Sequence, residues 1–275
     1  MLVSIGRVAL VFGAIAPHGG IAIADDVAAV TRAGMEELGR RFDAARPEAV
    51  VVATPHNVHI ANALGVIVAG RIAGKLEDMT PPVSLDVPCE AALAWGVLEA
   101  YGRVGLPSAG VSFGSNDVKL AVAPMDWGVL IPLWFTGGRH EPPLPIVVVT
   151  PARELPASDH VKAGAAIAAA CAATDRRVAF IASADHGHAH LAKGPFGFHP
   201  AAAQFDARVC DILRSDRLEE LVDIDPVMVE NAKADSWWQM LMLHGATPGW
   251  RGELISYEAP TYFGMLTAAY SPTDS

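Results

Sequence analysis

The chain has 275 residues, 52% hydrophobic and 18% charged, a composition that excludes an intrinsically disordered protein and requires a large buried core. Thirty acidic against twenty basic side chains give a net charge of −10 without any basic block, which argues against nucleic acid as a partner. Three widely spaced cysteines, Cys89, Cys171 and Cys210, form no CxxC pair, so neither a disulfide framework nor a thiolate zinc site is expected, and the cytoplasm is the expected compartment.

In chain order, the apolar run "RVALVFGAIA" at 7–16 ends at Pro17-His18-Gly19-Gly20, a strand followed by a turn. Arg7 and the "AIA" at 14–16 superficially resemble a secretory leader, but the start is barely charged and the same run makes a buried first strand. A helix follows, capped by Asp25 or Asp26, with Val27, Val30, Gly34, Leu38 and Phe42 on one face and Pro47 ending it. "AVVVAT" at 49–54 is the next strand and completes a β-α-β unit. The alternation continues with a helix at 89–105, a strand at 144–150, a helix at 157–174 and the strand "RVAFIASA" at 177–184. "AAAQFDARVCDILRS" and "VENAKADSWWQMLMLHGA" read as helices, and "ELISYEAPTYFGMLTAAY" as closing strands. Continuously apolar strands alternating with helices predict an α/β fold with a mainly parallel central sheet covered on both faces. With no repeat, linker or composition shift, one domain over 1–275 is expected, and no apolar segment reaches the ~18 residues of a membrane span.

Ligands of open α/β sheets gather beyond the carboxyl ends of the strands, and the histidines follow that rule. His18 follows the first strand, His56 and His59 the second, and His186, His188 and His190 the strand ending at Ala184. Neutral imidazole is a common metal ligand, so a metal centre is the natural expectation. "HGHAH" at 186–190 is by itself a possible local divalent site, because alternate residues of an extended segment share a face. Asp235 and Glu230 supply carboxylates to such a centre. An ionised Asp235 beside Trp237, Trp238, Met240 and Met242 needs a positive partner, although helix capping is an alternative duty. "APMDWGVLIPLWF" at 123–135 either lines a pocket for a flat ring or packs the core.

The ordered set "APHGG" (16–20), "ATPHNVH" (53–59), "PMDWGVLIPL" (124–133), "IASADHGHAH" (181–190), "ADSWWQMLMLHGA" (234–246) and "APTYFGML" (259–266) resembles the LigB-type, or class III, extradiol ring-cleavage dioxygenases. That superfamily also holds the Memo-like proteins, which are not dioxygenases. The resemblance implies a LigB-type fold and a non-haem Fe(II) held by His18, His56 and the helical carboxylate Asp235, with zinc or another divalent metal as alternatives. By the pattern "ASxDxxH" it implies His188 as general acid/base, flanked by His186, with Asp126 as a further catalytic candidate. His59, Trp127, His190 and Trp238 are the implied substrate-binding residues. The implied reaction opens the ring of a catechol-like or aminophenol-like aromatic with O2, the base removing a hydroxyl proton. Two departures stand out: Trp127 in "MDWG" replaces the usual histidine of "DHG", and Asp235 stands where glutamate is usual, one position out of register. A Memo-like interaction protein and a zinc hydrolase built on the 186–190 cluster are the alternatives. The expected partners are a small aromatic substrate and O2, with no nucleic acid and no membrane. A homodimer is also expected, with Trp134, Phe135, Phe196 and Phe198 as its contact residues.

Overall fold

The computed structural model describes residues 9–273 apart from 25 and 80. Arg7 and the proposed cap Asp25 lie outside the described residues. In chain order the elements are β1 (Leu10–Ala16), α1 (Ile21–Ala24), α2 (Ala29–Ala45), β2 (Ala49–Ala53), β3 (Leu64–Ile67), β4 (Arg71–Leu76), β5 (Val83–Pro88) and α3 (Ala91–Arg103). They continue with β6 (Ser108–Val111), β7 (Val122–Pro124), α4 (Trp127–Phe135), β8 (Ile146–Thr150), α5 (Ala157–Ala172) and β9 (Val178–Ser183). The chain closes with α6 (Ala201–Arg214), α7 (Pro226–Ala232), α8 (Trp237–Ala246), β10 (Arg251–Glu258) and β11 (Met265–Ser271).

An eight-stranded sheet runs in the order β10-β11-β1-β9-β2-β8-β3-β6. Its centre, β1-β9-β2-β8, is parallel, and every residue of these four strands is buried. Burial on both faces is what their unbroken apolar sequences dictate. The flanks differ from the mainly parallel sheet expected: β11 is antiparallel to β1 and to β10, and β3 is antiparallel to β8, so the sheet is mixed. One face packs on α3, α5, α6 and α8, with Leu93, Ile167, Phe205 and Leu241 in its core. The other packs on α2 and α4, through Leu38, Phe42 and Leu130.

That second face is also covered by a small sheet, β5-β4-β7, which the apolar-run reading overlooked. Two other expectations are corrected. Val27 and Val30 are exposed instead of joining the buried face of α2, which consists of Thr31, Gly34, Met35, Leu38, Gly39 and Phe42. The stretch 229–246 is two helices separated by a break, because Lys233 turns left-handed (φ 55°) and ends α7. Among the described residues, no helix is long and apolar enough to cross a membrane.

Candidate metal centre

Strands β1 and β2 flank β9 in parallel, so their carboxyl ends open on the same rim about 10 Å apart. His18 lies two residues past β1, His56 three past β2 and Asp185 two past β9. Loops that short, carrying long imidazole side chains, close the gap. The ring centroids of His18 and His56 are 4.8 Å apart at 85°, and their Nε2 atoms approach to 3.1 Å. Asp235 Oδ2 stands 3.6 Å from each of these nitrogens. Among the described residues, His18, His56 and Asp235 form the group whose donor atoms, all within 4.8 Å of one another, could hold a metal ion.

Each of the three is locally fixed. Ser183 Oγ donates its proton to the Gly128 carbonyl at 2.5 Å, so toward His18 Nδ1, 3.0 Å away, it acts as an acceptor. The neutral His18 ring therefore carries its proton on Nδ1 and directs the Nε2 lone pair at His56 and Asp235. His56 fits against the start of α4 because position 128 is glycine: a Cβ there would lie 2.9 Å from His56 Cδ2 and 2.5 Å from Thr54 Oγ1. Asp235 stands in the break before α8, not on a helix, and its backbone carbonyl accepts from Gln239 Nε2 at 2.7 Å. The same amide reaches the Ser183 carbonyl at 2.9 Å, tying the break to the end of β9. Helix capping by Asp235 is not observed, since Ser236 is the N-cap of α8 and its side chain makes no cap bond.

Asp185 is a second acidic neighbour of His18. Its Oδ1 accepts from the His18 backbone N–H at 3.0 Å and its Oδ2 lies 3.5 Å from His18 Nε2. It is the aspartate of the "ASxDxxH" pattern, the sequence signal that marks it beside His188. Burial by itself disfavours a charged His18, but Asp185 and then Asp235 outweigh it and push the imidazole up to about 9. Burial followed by the field of His18 pushes His56 down to about 4, leaving a neutral ring. Burial alone would raise Asp235, yet His18 outweighs it and holds the carboxylate below its usual range.

His188 Nδ1 is 2.7 Å from the His186 carbonyl, which only accepts, so the proton sits on Nδ1 and Nε2 is the free basic position. That Nε2 is 4.0 Å from Asp235 Oδ2, and the ring stacks on Phe263 at 5.5 Å and 18°. Trp127 tilts over His56 at 4.7 Å between centroids. His18, His56, Trp127, His188, Asp235 and Trp238 all line one cleft of about 1430 Å³.

Of the other residues proposed from the sequence, Glu230 and Phe196 line this cleft, whereas His59, His186, His190 and Asp126 do not. His59 is carried away by the left-handed turn at Asn57 (φ 74°), whose amide is pinned to the Pro124 carbonyl at 2.7 Å, and it pairs with Glu154 at the surface. His190 is bound to the buried Asp206 at 2.9 Å, and His186, fully buried, to Ser236 at 3.1 Å. With three different partners, the imidazoles of 186–190 do not assemble the local metal site that their spacing allows. Asp126 is the N-cap of α4, accepting from Val129 N–H at 3.3 Å. Glu230 lines the cleft but does not belong to the three-residue group. Trp134 and Phe135 pack against the core, whereas Phe196 and Phe198 are exposed.

The sequence model described as the catalytic LigB subunit of aromatic ring-opening dioxygenase matches residues 18–267. The chain belongs to the LigB family. A Clostridium acetobutylicum protein named CA_C1420 is 26% identical over 235 residues, 83% of this chain and 49% of its own length, so the chain spans about half of that relative. The crystal structure of an uncharacterized Escherichia coli K12 protein, JW3007, shares the fold with a TM-score of 0.60 at 18% identity, covering 94% of this chain and 99% of that one. LigB membership places the chain in a dioxygenase-like enzyme fold, and the His18, His56 and Asp235 donors suit a divalent metal.

The fit of a metal to this LigB site rests on the donors themselves. Asp235 Oδ1 is buried and has no hydrogen-bond partner among the described residues, a costly state for a carboxylate oxygen. His18, His56 and Asp235, two imidazoles and one carboxylate lining the cleft, are the donors that would hold a divalent metal there.

Proposed function

We propose that the protein is a non-haem Fe(II)-dependent extradiol dioxygenase that opens the ring of a catechol-like or aminophenol-like aromatic. The observation that carries this reading is the convergence of His18, His56 and Asp235 beside the free Nε2 of His188 in one aromatic-lined cleft. Iron bound there supplies the electronic coupling between an ortho-diol and O2. The chain's own residues do the rest. Ser183 and Gln239 hold His18 and Asp235 in place. Phe263 stacks on His188 and Trp127 tilts over His56, giving a flat ring two apolar walls. His188 Nε2 takes the proton of the second hydroxyl and returns it to the opened product, a role suited to an imidazole whose other nitrogen is already committed to a carbonyl. Three free cysteines agree with a cytoplasmic setting.

The test is oxygen uptake by anaerobically iron-loaded protein given substituted catechols and aminophenols. The reading expects uptake with a yellow ring-fission product, abolished in His18→Ala. Bound iron without uptake across the whole panel overturns it.

Trp127 favours a second reading, a Memo-like metal-binding protein without ring cleavage. An indole over His56 offers a bulky wall where the resemblance expects an imidazole that hydrogen-bonds substrate or oxygen. Copper or zinc retained in preference to iron, with oxygen uptake indifferent to any phenol, would support that reading.

A further inference from the structure

The cleft is larger than the proposed chemistry needs. Sites for drug-sized ligands occupy roughly 300–1,000 Å³, so a cleft of about 1430 Å³ extends well beyond one dihydroxylated ring at the metal. The surplus has a direction. Trp238, the second residue of α8, lies three residues past Asp235 and lines the cleft together with Trp237, Val222, Ile224 and Val229.

This wall is built rather than incidental. Trp238, Trp237, Ile224 and Val229 are each at most 9% exposed yet line the cleft, so their accessible surface is turned toward it. The Trp237 indole N–H donates to the Leu221 carbonyl at 2.8 Å, which fastens the turn at 218–223 to α8. The Trp238 ring is held by the Arg153 guanidinium at 4.8 Å and by the Trp237 ring at 6.0 Å. Val222, 43% exposed, stands at the outer end, where the cleft meets solvent. Rigid apolar walls lose little freedom when a ligand is buried against them.

We propose that Trp238, Trp237, Val222, Ile224 and Val229 form an apolar subsite for a hydrophobic substituent, an alkyl chain or second aryl ring, carried by the aromatic substrate. The inference rests on the dioxygenase reading for the position of the dihydroxylated ring, but the subsite is defined by these five side chains alone.

The experiment is calorimetric titration of the Zn(II)-loaded full-length protein with catechol, 4-methyl-, 4-butyl- and 4-hexylcatechol, repeated with the matching 4-alkylphenols. Affinity is expected to rise roughly twofold to fourfold per methylene up to a limit, as burial of CH₂ groups requires. Val222→Asp should flatten the series. Val222→Phe should move the best chain to a shorter length while the series keeps its slope below that length, a change that misfolding does not produce. A flat wild-type series, or no binding by any member, overturns the subsite. If alkylphenols bind as tightly as alkylcatechols, the subsite stands and the diol reading of the metal lobe fails. Tight catechol binding without chain-length dependence leaves the diol reading standing and removes the subsite.

Discussion

Asp206 and Asp235 are buried carboxylates that sit among histidines, and they are treated in opposite ways. Asp206 is saturated: Oδ1 accepts from Gly187 N–H at 2.8 Å, and Oδ2 from His190 at 2.9 Å and the Tyr257 hydroxyl at 2.8 Å. Asp235 has three imidazole nitrogens at 3.6 to 4.0 Å from one oxygen and no partner on the other. A carboxylate whose two oxygens both accept hydrogen bonds is a structural tie. One that keeps an oxygen without a partner and turns its other oxygen toward two imidazole nitrogens is arranged for a cation. The difference teaches that the His and Asp content of a cluster says less than how completely its acceptors are satisfied.

The sharpest way to break this comparison is to remove each carboxylate in turn. Asp235→Ala should lose metal retention altogether. Asp206→Ala should keep its metal, since Asp206 touches none of the three ligands, but lose about 3–5 kcal/mol of stability because three donors lose their acceptor. Metal titration and urea unfolding on both variants separate the roles, and the reverse pattern would refute the assignment.

His188→Gln sharpens the same contrast on the catalytic side. It should keep the metal and slow turnover by about 10²- to 10⁴-fold, the range for loss of a general base. His190→Gln should affect turnover far less, since its ring serves Asp206.

Acid strengthens the comparison further. His18 in the metal-free protein is pushed up to about 9, and a metal must displace its proton. Apparent metal affinity should therefore rise about tenfold per pH unit from 7 toward 9 and level off above. Competition with a chelator at several pH values measures this, and a flat profile would contradict it.

The smallest effect concerns His186, which burial holds down to about 4 against an ordinary 6.5. Between those values the unfolded chain takes up a proton that the native ring refuses, so stability falls as pH drops through the window. The loss should be about 2 kcal/mol at pH 5. His186→Gln should remove this share of the acid sensitivity in urea midpoints compared at pH 7 and pH 5.

Much of this was legible in the sequence where a signal is local. The four central strands are continuous apolar runs, and parallel strands put their loops on one rim, so strand ends placed six histidines there, and the resemblance singled out His18 and His56 among them. The small sheet escaped notice because its cue is alternation, not a run: Val83, Leu85 and Val87 are buried while Ser84, Asp86 and Pro88 face out. The fates of His59, His186 and His190 were hidden because they depend on distant partners, Glu154, Ser236 and Asp206. Asp235 was visible as a costly carboxylate, but its place in a break depends on the left-handed Lys233 and on Gln239, which no periodicity reveals.

The most direct test of the metal centre is an anomalous-scattering map from a crystal of metal-loaded protein. One peak within about 2.0–2.3 Å of His18 Nε2, His56 Nε2 and an Asp235 oxygen is the predicted result. A peak at His186, His188 and His190, or no peak at fully loaded stoichiometry, would contradict it.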